Sequence, residues 1–165
     1  MPRAYLGIGS NMGDRRENLD RACRLLREST GIEVVRKSSY HETEPVGGPP
    51  QGKFLNAAVE VETSLEAAEL LQRCLDVELA MGRRRTVRWG PRTIDIDVLI
   101  YDGVVSESET LVLPHPLMHK RRFVLEPLAE IAPGLVHPTT GRTVSQLLAN
   151  LSAENEHEAK NGAKD

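Results

Sequence analysis

Two aspartates in one short apolar segment are the residues of this sequence best suited to metal chemistry. The segment 93–100 reads Thr-Ile-Asp-Ile-Asp-Val-Leu-Ile, and its β-branched residues favour a strand. Successive side chains of a strand point to opposite faces, so Asp95 and Asp97 are expected to share one face. Their Cα atoms would then lie roughly 6.6 Å apart. The opposite face would carry four core residues: Ile94, Ile96, Val98 and Ile100.

A divalent cation is the natural partner of such a pair. Two carboxylates at this distance repel each other unless a positive charge lies between them. Hard oxygen ligands with no histidine or cysteine beside them suit Mg²⁺, which completes its coordination with water and phosphate oxygens. The alternative is an amphipathic strand with a solvated acidic face, and for Asp95 and Asp97 alone that alternative would be the better interpretation.

An arginine-rich segment directly before the strand favours a phosphate site. Arginine forks match phosphate oxygens in a bidentate manner. Metal ligands beside arginines are what phosphoryl transfer needs, since its catalysis is mostly positioning and charge neutralisation. For the arginines alone, a solvated basic loop is a fair alternative. Together with the aspartates they indicate a magnesium-dependent, kinase-type enzyme that acts on ATP and a small molecule. The arginines are Arg83, Arg84, Arg85, Arg88 and Arg92.

Five single residues are weaker candidates. Glu78 falls on an apolar helical stripe, where it lies either at the edge of the stripe or against a ligand. Asn56 could read a heterocycle, although a strand-end hydrogen bond is more common for such a residue. Trp89 is unusual in a polar loop, whereas the core is the default place for Phe123. His115 stands between two prolines and could donate to a phosphate, but a lone histidine is more often structural.

Composition bounds the class of protein. The chain has 165 residues and a formal net charge of -3, with its acids spread along the sequence. A general nucleic-acid-binding protein would usually be basic, so a local anion site is favoured over a polyanion surface. Cys23 and Cys74 have no metal-ligand spacing and are expected to be reduced core residues. Because no apolar run suits a signal sequence or a membrane helix, a cytoplasmic protein without membrane or nucleic-acid partners is expected.

The elements that must position these residues alternate between strands and helices. One domain is expected over 1–151, with a polar and disordered tail over 152–165. Asp102-Gly103 is a strong hairpin signal, which favours an α+β sandwich with helices on a mixed or antiparallel sheet. Strands are predicted at 4–8, 32–40, 55–62 and 93–101, and a loop at 42–52. One helix is predicted to begin at a cap at Asp14. A second begins at a capping box over 63–66 and ends at about 81, and a third runs from 143 to about 151.

With these residues in view, the sequence resembles the 6-hydroxymethyl-7,8-dihydropterin pyrophosphokinase family of folate biosynthesis. The match runs from Ala4 to about Leu148. The segment 88–99, Arg-Trp-Gly-Pro-Arg-Thr-Ile-Asp-Ile-Asp-Val-Leu, is similar to that family's signature. Five further segments follow the family's order and spacing: 7–11, 54–58, 113–116, 121–123 and 130–133.

The resemblance implies a fold and a reaction. The fold is a ferredoxin-like, two-layer α+β sandwich that works as a monomer. The reaction transfers pyrophosphate from ATP to the hydroxymethyl group of 6-hydroxymethyl-7,8-dihydropterin and releases AMP. Three loops, near 11–14, 43–53 and 83–92, would close over the reactants, and their glycine and proline content is consistent with such lids.

The resemblance also implies residue roles. Asp95 and Asp97 would hold two Mg²⁺ ions, and Arg83 and Arg92 would act with them in catalysis. Which of Arg84, Arg85 and Arg88 contacts phosphate stays open. The ATP site would contain Glu78, Arg85, Arg88, Trp89, Arg92, Val98, His115 and Arg121. The pterin site would contain Thr43, Glu44, Pro45, Val46, Phe54, Asn56 and Phe123.

Two other classes of function are considered. A nucleotidyltransferase would also combine a Gly-Ser pair with two aspartates, but those enzymes keep the elements close in sequence, whereas more than eighty residues separate Gly9-Ser10 from Asp95. A nucleic-acid module on a ferredoxin-like sheet would need exposed aromatic residues on adjacent strands and a basic face. The sequence offers neither feature.

Overall fold

The computed structural model describes residues 1–45, 48, 50–82 and 92–162, with side chains as far as residue 153. The strands are β1 (Arg3–Ser10), β2 (Ile32–Lys37), β3 (His41–Thr43), β4 (Phe54–Thr63), β5 (Asp95–Tyr101), β6 (Ser106–Glu107) and β7 (Val112–Leu113). The helices are α1 (Arg15–Glu28), α2 (Ala67–Ala80), α3 (Arg122–Ile131) and α4 (Val144–Gly162), with a 3₁₀ turn at Met118–Lys120.

The main sheet has the strand order β2-β4-β1-β5, and β3 also pairs with β4. Every pairing in it is antiparallel. With α1 and α2 as the two connecting helices, this order confirms the ferredoxin-like α+β fold. The sheet is purely antiparallel because each of its strands runs opposite to the neighbour with which it pairs.

One face of the sheet packs against α1 and α2. The strand predicted at 55–62 is present as β4, and its alternate residues Leu55, Ala57, Val59 and Val61 all enter this core. From α1 the core receives the residues at helical spacing, namely Leu19, Ala22, Cys23 and Leu26. Burial of these apolar side chains holds the layer together at roughly 25 cal/mol per Å² removed from water.

The opposite face carries a third layer that the sequence patterns did not place. Here α3 and α4 cover a second core. Tyr5, Ala58 and Leu99 from the sheet meet Leu125 and Leu128 of α3. The sheet is therefore covered by helices on both faces, and α3 borders the part of the second face that stays open.

A register shift explains one wrong expectation. Leu6 pairs with Val98 while the neighbouring Tyr5 pairs with Ile100, so Leu99 is an additional residue in β5. Such a bulge reverses the alternation of side chains beyond it. Ile96 and Val98 lie in the first core as predicted, whereas Ile100 lies in the second core.

The two predicted helix caps have different outcomes. Asp14 is the N-cap of α1 as predicted, and its carboxylate accepts from the Glu17 N–H at 3.1 Å. The capping box at 63–66 was wrong, since the box of α2 is formed by Glu66 and Glu69. Thr63 is still in β4, and its hydroxyl accepts from Leu65 N at 3.0 Å.

Three further boundaries differ from the predictions. A turn forms at 102–103, with Val104 N donating to Tyr101 O at 3.0 Å, but the predicted hairpin with β5 is wrong because β6 pairs with β7. The short strand β3 lies partly in the predicted 42–52 loop. The last helix reaches Gly162 rather than 151, into the segment expected to be a disordered tail, and the domain boundary at 151 stays a prediction.

In the part of the chain that the structure describes, no helix combines the length and apolarity needed to span a membrane.

Glu130, in the last turn of α3, fastens the third layer to the chain between β2 and β3. Its carboxylate accepts from the backbone N–H of Ser39 and from the Ser39 hydroxyl at 2.5 Å, and lies 3.5 Å from His41 Nε2. The two donors of Ser39 lower the pKa of Glu130 below its usual value of 4.5. A carboxyl group with a lowered folded-state pKa stabilises the fold above its unfolded-state pKa. That contribution is lost as the pH falls through the folded-state value.

We therefore expect the Glu130→Gln variant to lose less thermal stability than the wild type between pH 6 and pH 3. Ser39→Ala removes one of the two donors and should give an intermediate pH dependence. Thermal unfolding followed by circular dichroism across this range measures the effect. Identical pH profiles for the wild type and Glu130→Gln would show that the pairing contributes nothing.

Candidate active site

An open cleft lies on the second face of the sheet, beside the first turn of α3. It encloses about 980 Å³, including its solvent-open mouth. Nine of the residues proposed from the sequence line it: Thr43, Glu44, Phe54, Asn56, Arg92, Asp95, Asp97, Arg121 and Phe123.

The floor of the cleft is made by the pairing of three adjacent strands, β4, β1 and β5. Gly9 of β1 lies opposite Asn56 of β4 on one side and Asp95 of β5 on the other. Gly7, two residues before Gly9 in β1, lies in the same way between Ala58 and Asp97. Neighbouring strands are about 4.8 Å apart, so Asn56 and Asp95 face the cleft from positions roughly 9.6 Å apart. The two glycines leave the space between them open.

Asp95 and Asp97 both reach this cleft, as the alternation of the strand predicted. Arg92 Nη1 lies 3.3 Å from Asp95 Oδ1, and each side chain is 26% exposed. The guanidinium reduces the repulsion between the two carboxylates, which are only half-buried and remain accessible. Among the described residues, no cluster of three or more acidic, histidine or cysteine side chains could hold a metal. A cation at this pair would take its other ligands from water or substrate, as Mg²⁺ usually does in proteins.

The other end of the cleft has the chemistry of a heterocycle site. Phe54 and Phe123, from β4 and the first turn of α3, are both half-buried and line it. Asn56 is only 8% exposed, and its Nδ2 donates to Thr43 Oγ1 at 2.6 Å. This bond uses one of the two amide N–H donors and fixes the orientation of the amide, and Asn56 Oδ1 is the atom that can accept from a ligand.

Two residues near α3 add positive charge and a neutral imidazole. The Arg121 guanidinium lies 5.5 Å from the centre of the Phe123 ring, a cation–π distance. Burial lowers the pKa of His115, the charge of Arg121 lowers it further, and the carboxylate of Asp95 opposes both. His115 is therefore neutral at pH 7, and because its Nδ1 accepts from Leu117 N at 3.3 Å, its Nε2 carries the proton and can donate.

Two residues proposed for the nucleotide lie elsewhere. Glu78 is only 2% exposed, and its Oε2 accepts from Ile96 N at 2.9 Å. β5 is an edge strand, so this carboxylate supplies an acceptor to an outward-facing N–H and fixes β5 against α2. That place differs from the expectation that Glu78 faces ATP. The Val98 side chain is 5% exposed and lies in the first core, so any contact with a nucleotide would involve its main chain.

Of the six remaining proposed residues, the structure describes one. Pro45 follows Glu44 but is not part of the lining. The other five lie outside the described residues: Val46, Arg83, Arg85, Arg88 and Trp89. Arg84 lies outside them as well.

The strand glycines and Gln51 line the cleft but were not among the proposed site residues. Glycines two apart inside a strand are a signal for close approach of another group, so Gly7 and Gly9 could have been found. An added Cβ at Gly9 would lie 2.6 Å from Asn56 Oδ1, whereas at Gly7 its nearest neighbour would be Leu99 Cδ1 at 3.5 Å. Gln51 stands in a loop and carries no comparable signal.

Comparisons with known proteins identify relatives of this arrangement. Residues 5–133 match the 7,8-dihydro-6-hydroxymethylpterin-pyrophosphokinase family. The chain is 52% identical over 151 residues to the 2-amino-4-hydroxy-6-hydroxymethyldihydropteridine pyrophosphokinase of Methylorubrum extorquens, covering 92% of this chain and 94% of the relative. It is 46% identical over 143 residues to the enzyme of that name from Bacillus subtilis, covering 87% and 86%.

Solved structures agree on the fold. A Plasmodium falciparum HPPK-DHPS structure with pteroate matches with a TM-score of 0.77 at 14% identity, over 96% of this chain. An HPPK-DHPS structure in complex with substrates matches with a TM-score of 0.73 over 94% of this chain. The chain spans 44% of the length of each of these structures, so the likeness concerns one part of them.

The two glycines of β1 allow a matched test of the floor. Gly9→Ala should lower the free energy of unfolding by about 1–3 kcal/mol, because the new methyl group displaces the Asn56 amide and disturbs its bond to Thr43. Gly7→Ala makes only ordinary contacts and should stay within about 1 kcal/mol of the wild type. Urea unfolding measures both variants. Equal stabilities would contradict the close approach of Asn56 to Gly9.

Proposed function

The chain belongs to the 7,8-dihydro-6-hydroxymethylpterin-pyrophosphokinase family, and from this premise we propose that its cleft holds both substrates of the family reaction. The enzyme transfers pyrophosphate from ATP to the hydroxymethyl group of 6-hydroxymethyl-7,8-dihydropterin in folate biosynthesis, and AMP is released. The single observation that supports our placement is the row Asn56–Gly9–Asp95. It aligns a polar amide, an open floor and a metal-type carboxylate across adjacent strands.

The pterin would lie at the Asn56 end of the row. Phe54 and Phe123 supply two aromatic faces for a flat ring, and stacking on such faces is favourable. Asn56 Oδ1 would accept from an N–H on the pterin edge, since Asn56 Nδ2 is held by Thr43. Further edge contacts are proposed for the segment 43–46, of which Thr43 and Glu44 line the cleft. This placement directs the hydroxymethyl group towards Asp95 and Asp97.

Asp95 and Asp97 would hold Mg²⁺, and the family resemblance leads us to propose two ions. Both side chains are accessible hard-oxygen donors beside a cleft that has room for phosphate oxygens, so they fit the ion. When bound, magnesium neutralises phosphate charge and lowers the pKa of a coordinated hydroxyl group.

Positive charge on this side of the cleft would orient the triphosphate. Arg92 and Arg121 line the cleft, and His115 lies close enough to Arg121 and Asp95 to interact electrostatically with both. Arginines held in place neutralise charge that develops in the transition state at little cost in reorganisation. We assign the same role to Arg83 and to the arginines at 84–88, and a nucleotide contact to Trp89, from the resemblance alone.

The proposed step is a direct in-line displacement. The hydroxymethyl oxygen forms a bond to the β-phosphorus of ATP, while the bond from that phosphorus to the bridging oxygen of the α-phosphate breaks. The proton of the hydroxyl group leaves to solvent, and AMP departs with the bridging oxygen. The residues of the chain act by holding the two reactants in line, which is the main source of rate in phosphoryl transfer.

We propose that the chain acts as a cytoplasmic monomer, with the catalytic domain within residues 1–151. The family resemblance is what supports this proposal. Light scattering after size-exclusion chromatography tests this proposal, and a stable dimer at micromolar concentration would contradict it.

Product analysis tests the proposed reaction. The protein is incubated with ATP, Mg²⁺ and 6-hydroxymethyl-7,8-dihydropterin, and nucleotides are separated by ion-exchange chromatography. Formation of AMP in a 1:1 ratio with the pterin pyrophosphate is expected. Release of inorganic pyrophosphate would instead indicate nucleotidyl transfer.

Asp97→Ala should reduce kcat by at least roughly 10²- to 10³-fold, because one ligand of the metal site and its charge are lost. Asp102→Ala is the matched control, since Asp102 is an exposed aspartate in the turn directly after β5. That control should retain the turnover of the wild type. Near-normal turnover of correctly folded Asp97→Ala would refute the metal assignment.

Arg92→Ala should reduce the rate of the chemical step more than the affinity for the pterin. The guanidinium faces Asp95 and the phosphate end of the cleft, while the aromatic residues that bind the ring are unchanged. Single-turnover kinetics separate the two quantities. A loss confined to pterin affinity would show that Arg92 contacts the pterin rather than the triphosphate, and would contradict the proposed role.

A further inference from the structure

Asn11, the residue that follows β1, joins two separate walls of the cleft. It is 8% exposed and does not line the cleft itself. Its backbone N–H donates to Arg92 O at 3.1 Å, and its Oδ1 accepts from Arg92 N at 2.8 Å. One residue thereby holds the main chain of Arg92 at two points.

The same side chain also binds the segment before β4. Asn11 Nδ2 donates to Gln51 Oε1 at 2.7 Å and to Gly52 O at 3.1 Å. Two residues beyond Gly52 stands Phe54, whose ring lines the cleft. A single amide group thus contacts both the segment that carries Phe54 and the segment that carries Arg92.

These two segments belong to different halves of the site. On the proposed function, Phe54 binds the pterin and Arg92 orients the triphosphate. They are about forty residues apart in sequence, and β1 separates β4 from β5 in the sheet. The distance between the two substrates therefore depends on contacts that cross the end of β1, and Asn11 makes four of them.

The turn that carries Asn11 is itself fixed by α1. Asn18 Nδ2 donates to Met12 O at 2.8 Å and to Ser10 Oγ at 3.2 Å, on either side of Asn11. The amide of Asn11 is consequently presented from a rigid element. Fixed hydrogen bonds of this kind hold a catalytic constellation within fractions of an ångström.

We propose that Asn11 is a positioning residue that sets the separation between the pterin half and the triphosphate half of the cleft. It touches neither the reacting atoms nor the metal ligands. Its removal leaves each half able to bind its substrate but no longer holds the two halves in register. This proposal rests on the proposed function for its kinetic consequence and on the four hydrogen bonds alone for its structural consequence.

The test compares Asn11→Ala with a destabilising variant far from the cleft. A misplacement of about 1 Å between reactants can cost on the order of 10²-fold in rate. For Asn11→Ala we expect a kcat loss of roughly that size, with the Kd of a non-hydrolysable ATP analogue and the Kd of the pterin each changed less than about threefold. Isothermal titration and steady-state kinetics supply these numbers.

Thr63→Val is the matched control. Thr63 is fully buried at the far end of β4, and its hydroxyl joins three segments by donating to Gly31 O at 2.6 Å and accepting from Leu65 N at 3.0 Å. The Thr63→Val variant should have a lower Tm, while its kcat stays within about twofold of the wild type. Asn11→Asp keeps the acceptor for Arg92 N but loses the donor to residues 51–52, so its kcat should fall between those of the wild type and Asn11→Ala.

Hydrogen exchange followed by NMR provides a readout that does not depend on activity. In Asn11→Ala the Arg92 amide should exchange at least about tenfold faster, while amides in the middle of β1 stay protected. An unchanged Arg92 amide, or a kcat of folded Asn11→Ala within threefold of the wild type, would overturn the positioning role. Equal kcat losses in Asn11→Ala and Thr63→Val would also overturn it. If the wild type forms no AMP, the proposed function fails, and the exchange result alone decides whether Asn11 holds the two walls together.

Discussion

The register of β1 between β4 and β5 is the constraint on which the site depends. Because Gly9 pairs with both Asn56 and Asp95, and Gly7 with both Ala58 and Asp97, the side chains of the two outer strands meet over a floor with no side chain of its own. A slip of one residue between β1 and β5 would turn Asp95 and Asp97 into the first core, and a slip between β1 and β4 would do the same to Asn56. The same hydrogen bonds that build the sheet therefore also build the cleft.

Keeping this floor open has a cost in stability that other contacts offset. Two half-buried carboxylates on one face repel each other, and Arg92 reduces that repulsion from 3.3 Å away. Glu78 gives the edge strand β5 an acceptor it would otherwise lack, and α3 with α4 buries the rest of the second face. Charge is thus concentrated at the cleft, and the apolar layers on both faces of the sheet supply the compensating stability.

The reach of the sequence can be judged from particular residues. Alternation along β5 correctly placed Asp95 and Asp97 together, since the periodicity of a strand depends only on the local backbone. It failed at Ile100, because a bulge depends on the partner strand. Helical spacing put Glu78 on the inner stripe of α2 but could not reveal that its partner is an N–H of β5. The role of Asn11 was likewise hidden, because its four contacts join segments about forty and eighty residues away. The ferredoxin-like core followed from patterns and resemblance, whereas the third layer needed the structure.

The claim that Asp95 and Asp97 share one divalent-metal site opposite an aromatic pterin pocket can be tested most directly by crystallography. The protein would be crystallised with Mg²⁺, a non-hydrolysable ATP analogue and 6-hydroxymethyl-7,8-dihydropterin. We expect magnesium density bonded to oxygens of both aspartates, with the pterin between Phe54 and Phe123 and its hydroxymethyl group directed at the β-phosphorus. Magnesium bound away from both carboxylates, or a pterin bound outside this cleft, would contradict the claim.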